Sequence, residues 1–157
     1  MSRLESFMDV KYINLFLEAF STTLGQFGVT DIKRGNIKKK NNFYVDLDVS
    51  TIVTLRGGVQ GNIALSMSQD TAKNLVSSMT NGMNICSFDD TAKSAIGELT
   101  SIIAGTASTM SASLGITFSI SHPVVLLGFS NINSPETLAI DFETQLGKIE
   151  FNIGFNV

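Results

Sequence analysis

Ser94, Glu98 and Ser101 stand four and three residues apart, a spacing that brings side chains to one flank of a helix. Within the segment from Asp89 to Leu114, Glu98 is the one charged group in the middle. Its neighbours on that flank, Gly97, Ala104, Gly105 and Ser108, are all small. Open helix positions are ordinarily filled by Lys, Glu, Gln or Arg, which form helices well and keep a surface soluble. A glycine in their place costs roughly 1 kcal/mol relative to alanine. Small side chains let another surface come close, so a carboxylate among them can pair with a cation on a partner. The same pattern also fits a face packed on another part of the chain or on a dimer mate, with Glu98 at the rim.

Other chemistry is scarce. Cys86 is the only cysteine and His122 the only histidine, so an internal disulfide is impossible and a zinc site lacks ligands. Cys86 reads as a partly buried small residue, and His122, beside Pro123, as a residue that sets the start of a strand. Gly57-Gly58 has no following lysine and Gly105 is a lone helical glycine, so no phosphate-binding loop is present.

The elements that position these residues follow from periodicity. Ile13, Phe16, Leu17, Phe20, Leu24 and Phe27 fall at three- and four-residue spacing, which predicts a helix from about Val10 to Phe27. Phe43, Val45 and Leu47 alternate with polar residues as a strand does, and Arg56-Gly57-Gly58 separates two further strands as a hairpin turn. Ser68 is placed to cap a short helix to Met79, ended by Asn81-Gly82. Ser87, followed by Asp89 and Asp90 in the opening turn, predicts the start of the longest helix, which Gly115 closes. Ala92, Ala95, Ile96, Leu99, Ile102, Ile103, Thr106, Met110 and Leu114 form its expected core stripe. A strand after Pro123 and two half-buried strands carrying Leu138, Ile140, Phe142 and Ile149, Phe151, Ile153, Phe155 complete the chain. The order predicts an α+β fold, an antiparallel β-sheet packed against long helices.

At 157 residues with 43% apolar content the chain is sized for a single domain spanning 1–157. The net charge is −3, and Lys38-Lys39-Lys40 reads as a solvated loop, which argues against a nucleic-acid partner. The longest apolar runs fall far short of the roughly 20 residues a membrane helix needs. Met1-Ser2-Arg3-Leu4-Glu5 lacks the pattern of a secretory signal, so a cytoplasmic location is expected.

The segments Phe88-Asp89-Asp90-Thr91-Ala92-Lys93-Ser94-Ala95-Ile96-Gly97-Glu98-Leu99, Ala104-Gly105 and Ile120-Ser121-His122-Pro123-Val124-Val125 resemble the CheC/CheX/FliY family. Gly58-Val59-Gln60-Gly61-Asn62-Ile63 and Met79-Thr80-Asn81-Gly82-Met83 extend the resemblance over most of the chain. The resemblance implies a phosphatase of phosphorylated CheY-like receiver domains. Its motif is Asp or Ser, three residues, Glu, two residues, Asn, with a proline segment roughly twenty residues on. Ser94 and Glu98 fit the first positions and Pro123 the last, while His122 stands where a first proline is common. In that family the glutamate meets the receiver's lysine, the asparagine orients the attacking water, and magnesium is carried by the receiver, so no cofactor of the chain's own is implied. Ser94, Gly97, Gly105 and Pro123 are the implied partner contacts, with Glu98 and Ser101 catalytic.

Ser101 replaces the motif asparagine. A hydroxyl is shorter than a carboxamide and lacks its fixed plane of donor and acceptor. Since a displacement of about 1 Å can cost on the order of a hundredfold in rate, turnover is expected to be weakened. Thr100 points elsewhere. The alternative is a non-catalytic dimeric adaptor or sink for a receiver, with the strand Ile149–Phe155 joining a neighbour's sheet. Glu18 and Ser21 repeat the Glu-x-x-Ser spacing, as an ordinary solvated helix also would.

Overall fold

Alternation and capping produce three helices and nine strands in a computed structural model that describes residues 3–132 and 137–155; Met1 and Ser2 lie outside the described residues. In chain order they are α1 (Arg3–Gln26), β1 (Ile32–Lys40), β2 (Phe43–Val45), β3 (Val49–Gly57), β4 (Gly61–Met67), α2 (Gln69–Met79), α3 (Asp90–Ala112), β5 (Phe118–Ile120), β6 (Val124–Leu127), β7 (Ser130–Ile132), β8 (Thr137–Thr144) and β9 (Gly147–Phe155). The main sheet is antiparallel in the order β1-β8-β9-β4-β3, with β5 and β6 both pairing β3 at its far edge. β2 and β7 form a separate two-stranded ribbon. The fold is the expected α+β arrangement.

The helices share one face of the sheet. Phe16, Phe20 and Leu24 of α1 are fully buried, as their spacing predicts, and Tyr12, Leu15 and Ala19 join them. Phe20 meets Phe142 and Phe151 with ring centroids 4.7 and 5.3 Å apart. Ile63, Leu65 and Met67 of β4 and Ile149, Phe151 and Ile153 of β9 supply the sheet side of this core. α1 begins at Arg3, ahead of the expected Val10.

The opposite sheet face is covered as well. Phe43 and Val45 of the ribbon pack on Ile52 and Ala64 in a second, smaller core. A side-chain carbon on Gly154 would come within 2.9 Å of Phe43 Cδ2, so only glycine lets the ribbon lie this close. Under the ribbon, Lys40 Nζ donates to Glu150 Oε1 at 2.9 Å, Asn152 Oδ1 at 2.8 Å and the Tyr44 carbonyl at 2.9 Å. This corrects the loop expected at Lys38-Lys39-Lys40, which is the end of β1. β-alternation turns Lys40 onto the covered face, where its side chain is 1% exposed.

The apolar strand β9 lies between β4 and β8, with both its edges paired. It cannot accept a neighbour's strand, contrary to the expectation for Ile149–Phe155. The open edges belong to β1 and to β5 and β6.

Candidate functional site

Helix α3 carries the face singled out by its sequence. Asp89 caps it: the backbone is extended there and Oδ1 accepts from the Ala92 N–H at 2.9 Å. Ser87, the expected cap, lies two residues outside. An aspartate at this position both satisfies an orphan N–H and places negative charge at the positive end of the helix.

The buried stripe is rotated from the expected one. Ala92, Ile96, Leu99 and Ile103 are buried as predicted, but so are Gly97, Thr100, Ala104, Ala107 and Ser111, whereas Leu114 is exposed and Ile102 and Thr106 are half-buried. The cause is a second packing surface. Besides resting on α1, α2 and β3, α3 is flanked by β5 and β6. Periodicity along one helix cannot register a neighbour that arrives from the sheet edge.

That flank divides the small-residue face. Gly97 is buried; a Cβ there would stand 3.2 and 3.3 Å from Pro123 Cγ and Cβ and 3.6 Å from Val125 Cγ2. Gly97 therefore does not form part of the open contact surface to which the sequence assigned it. Its missing side chain lets Pro123 and β6 close onto the helix. Ser108 likewise turns to the edge, its hydroxyl donating to the Phe118 carbonyl at 3.3 Å.

The remaining strip is open. Ser94 and Glu98 are exposed, and Ser101, Gly105 and Pro123 are half-buried. Among the described residues Glu98 has no ion pair. A Cβ on Gly105 would meet nothing within 4 Å, so this glycine leaves a dip in the helix surface that internal packing does not require. Thr100 is buried with its hydroxyl directed at the Ile96 carbonyl, 3.4 Å away, and is withdrawn from the strip. The arrangement is a carboxylate and two hydroxyls on a shallow ledge bounded on one side by Pro123.

Comparison with known proteins places the chain in a family. The family model described as chemotaxis phosphatase CheX matches residues 49–143. The chain belongs to the CheX family. Relatives span nearly all of it. The CheY-P phosphatase CheX of Thermotoga maritima is 29% identical over 121 residues, 77% of this chain and 78% of that one. A crystal structure of a CheX-CheY-BeF3-Mg complex from Borrelia burgdorferi is similar at a TM-score of 0.76 and 32% identity, covering 93% of this chain and 98% of that one. The chemotaxis protein CheX of Desulfovibrio desulfuricans superposes with a TM-score of 0.79 at 26% identity, covering 93% and 99%. The CheX segment starts at β3 and includes α3 and β5 to β8, so the ledge lies wholly within it.

Other singled-out residues stand apart from the ledge. Glu18 and Ser21 are exposed on α1, and Glu18 lines an open groove with Lys11, Asn14, Leu15, Met110, Ser113 and Leu114. The groove meets α3 at its C-terminal end, three turns beyond Glu98. Cys86 is exposed, not partly buried. Among the described residues no cluster of His, Cys, Asp or Glu could hold a metal ion, and no helix is long and apolar enough to cross a membrane.

Proposed function

We propose that the chain binds phosphorylated CheY-like receiver domains through the ledge of α3 and hydrolyses their aspartyl phosphate. The observation that carries this reading is the exposed Glu98 carboxylate, without an ion pair among the described residues, on a helix face of small side chains, in a member of the CheX family. Glu98 pairs with a lysine of the receiver, Ser94 and Gly105 admit its surface, and Pro123 bounds the docked position. The receiver brings its own magnesium, as the Mg-containing complex of the Borrelia relative suggests. The chain then has little covalent chemistry to do. Phosphoryl transfer of this kind depends on positioning water and stabilising charge, and Ser101 stands where the motif has its asparagine. The reaction belongs in the cytoplasm, where such receivers work.

A homodimer is part of this reading. The open edge at β6 presents Val124 and Leu127 at 54% and 57% exposure, with Phe129 just past the strand's end at 68%, an apolar edge of the kind that pairs with another chain. Sedimentation as a monomer at high concentration excludes it.

The test of function is phosphate release from a phosphorylated receiver by wild type, Glu98→Ala and Ser101→Asn. The reading predicts loss with the first and gain with the second; equal release by all three removes α3 from the chemistry. The adaptor reading is favoured by one feature, the absence of a carboxamide at Ser101. Tight binding of a beryllofluoride-loaded receiver without faster dephosphorylation selects it.

A further inference from the structure

The edge of the sheet beside the ledge contains one residue more than the strand it pairs with. On β3, Leu55 stands opposite Ile120 and Ile52 opposite Val124, so three steps along β3 answer four along its partner. Ser121 stands opposite Thr54 but no longer pairs as a strand residue: its N–H donates to the Thr54 carbonyl at 2.9 Å, while the Thr54 N–H is accepted by the Ser121 Oγ, also at 2.9 Å, in place of a backbone carbonyl. The surplus falls at His122 and Pro123, opposite Val53.

Such a bulge breaks the alternation of side chains and re-aims one of them. Ile120 and Val125 both pack on the helix-side core, and Pro123 lies against Gly97. Residues 121–123 belong to neither strand, and the bulge there brings Pro123 to the helix side. Along α3 this edge runs antiparallel, with Phe118 at Ser108 and Pro123 at Gly97. The backbone of His122, one residue back from Pro123, therefore runs beside the turn from Gly97 to Ser101. His122 is exposed, and its carbonyl accepts from the Ser121 hydroxyl at 3.0 Å.

We propose that His122 is a catalytic residue of the ledge, its imidazole acting with the Ser101 hydroxyl to hold the attacking water. The proposal rests on the phosphatase reading above. A neutral imidazole offers one donor and one acceptor in a rigid plane and reaches further than serine, which are the properties that Ser101 lacks. The water oxygen bonds to phosphorus as the bond from phosphorus to the receiver's aspartate oxygen breaks, and that electron pair stays on the regenerated carboxylate. The water's proton passes through the imidazole to a phosphate oxygen, releasing inorganic phosphate.

The experiment compares wild type, His122→Ala, His122→Gln, Ser101→Asn and the double variant Ser101→Asn/His122→Ala. Phosphate release from a phosphorylated receiver and affinity for the beryllofluoride-loaded receiver are measured for each full chain. Loss of His122 is expected to cut release at least about tenfold with affinity held within about twofold, and His122→Gln to recover part of the loss. In the Ser101→Asn background the same removal is expected to cost less than about threefold, because the carboxamide now holds the water and the two sites are coupled. Equal losses in both backgrounds, or none in either, overturn the assignment of His122 while receiver recognition stands. A wild type that binds without releasing phosphate also overturns it and selects the adaptor. Failure of every variant to bind the receiver overturns the receiver reading itself.

Discussion

Two charged side chains show how differently charge is used in this molecule. Glu98 is exposed and, among the described residues, without an ion pair, so removing its charge should leave the fold alone: Glu98→Gln is expected to shift stability by less than about 0.5 kcal/mol, as surface substitutions do. Receiver affinity should fall about tenfold or more, equivalent to about 1.4 kcal/mol. A thermal melt and a calorimetric titration of the same sample separate the two effects. Lys40 is the opposite case, enclosed with Glu150 and Asn152 under the ribbon. Lys40→Ala strands a buried carboxylate and is expected to destabilise by about 3–5 kcal/mol, read as a fall in the denaturant midpoint. Glu98 was legible in the sequence because its neighbours are too small for a solvated surface. Lys40 was not, because three consecutive lysines read as solvent-facing until the covering ribbon of β2 and β7 is known.

At the scale of elements, α3 serves two neighbours. Its sheet-facing stripe followed from periodicity, and Ala92, Ile96, Leu99 and Ile103 are buried as expected. The second covered flank, at Gly97, Ala104 and the half-buried Ser108, reflects the approach of β5 and β6, strands ten or more residues further along the chain. Gly97 and Gly105 look alike in the sequence and differ in the structure: the first is pressed by Pro123, the second faces open space. Gly105→Ala should therefore raise stability by up to about 1 kcal/mol, since it removes the helical penalty of glycine without a clash. If the dip admits the receiver, the same variant binds it more weakly. A raised melting temperature with reduced affinity is the expected pair of results, and unchanged affinity removes Gly105 from the contact. The bulge at His122–Pro123 was equally invisible, because a register shift is a property of two strands and the local sequence describes one.

Over the whole molecule, the fold class, the hairpin of β3 and β4, and the paired strands β8 and β9 were legible, since each rests on alternation or on turn residues within a short span. Strand order was not. β9 has the composition of a sticky edge yet sits between β4 and β8, which moves the open apolar edge to β6, next to the ledge. The ledge, the bulge and this edge lie on one side of the molecule, while the groove at Glu18 and the basic strand β1 lie elsewhere. The most direct test is a map of backbone amide signals by nuclear magnetic resonance as a beryllofluoride-loaded receiver is added. Receiver docking on α3 predicts the largest perturbations over residues 94–109 and 121–125. Perturbations centred on β1 or on the groove beside Glu18, with residues 94–109 unmoved, would contradict it.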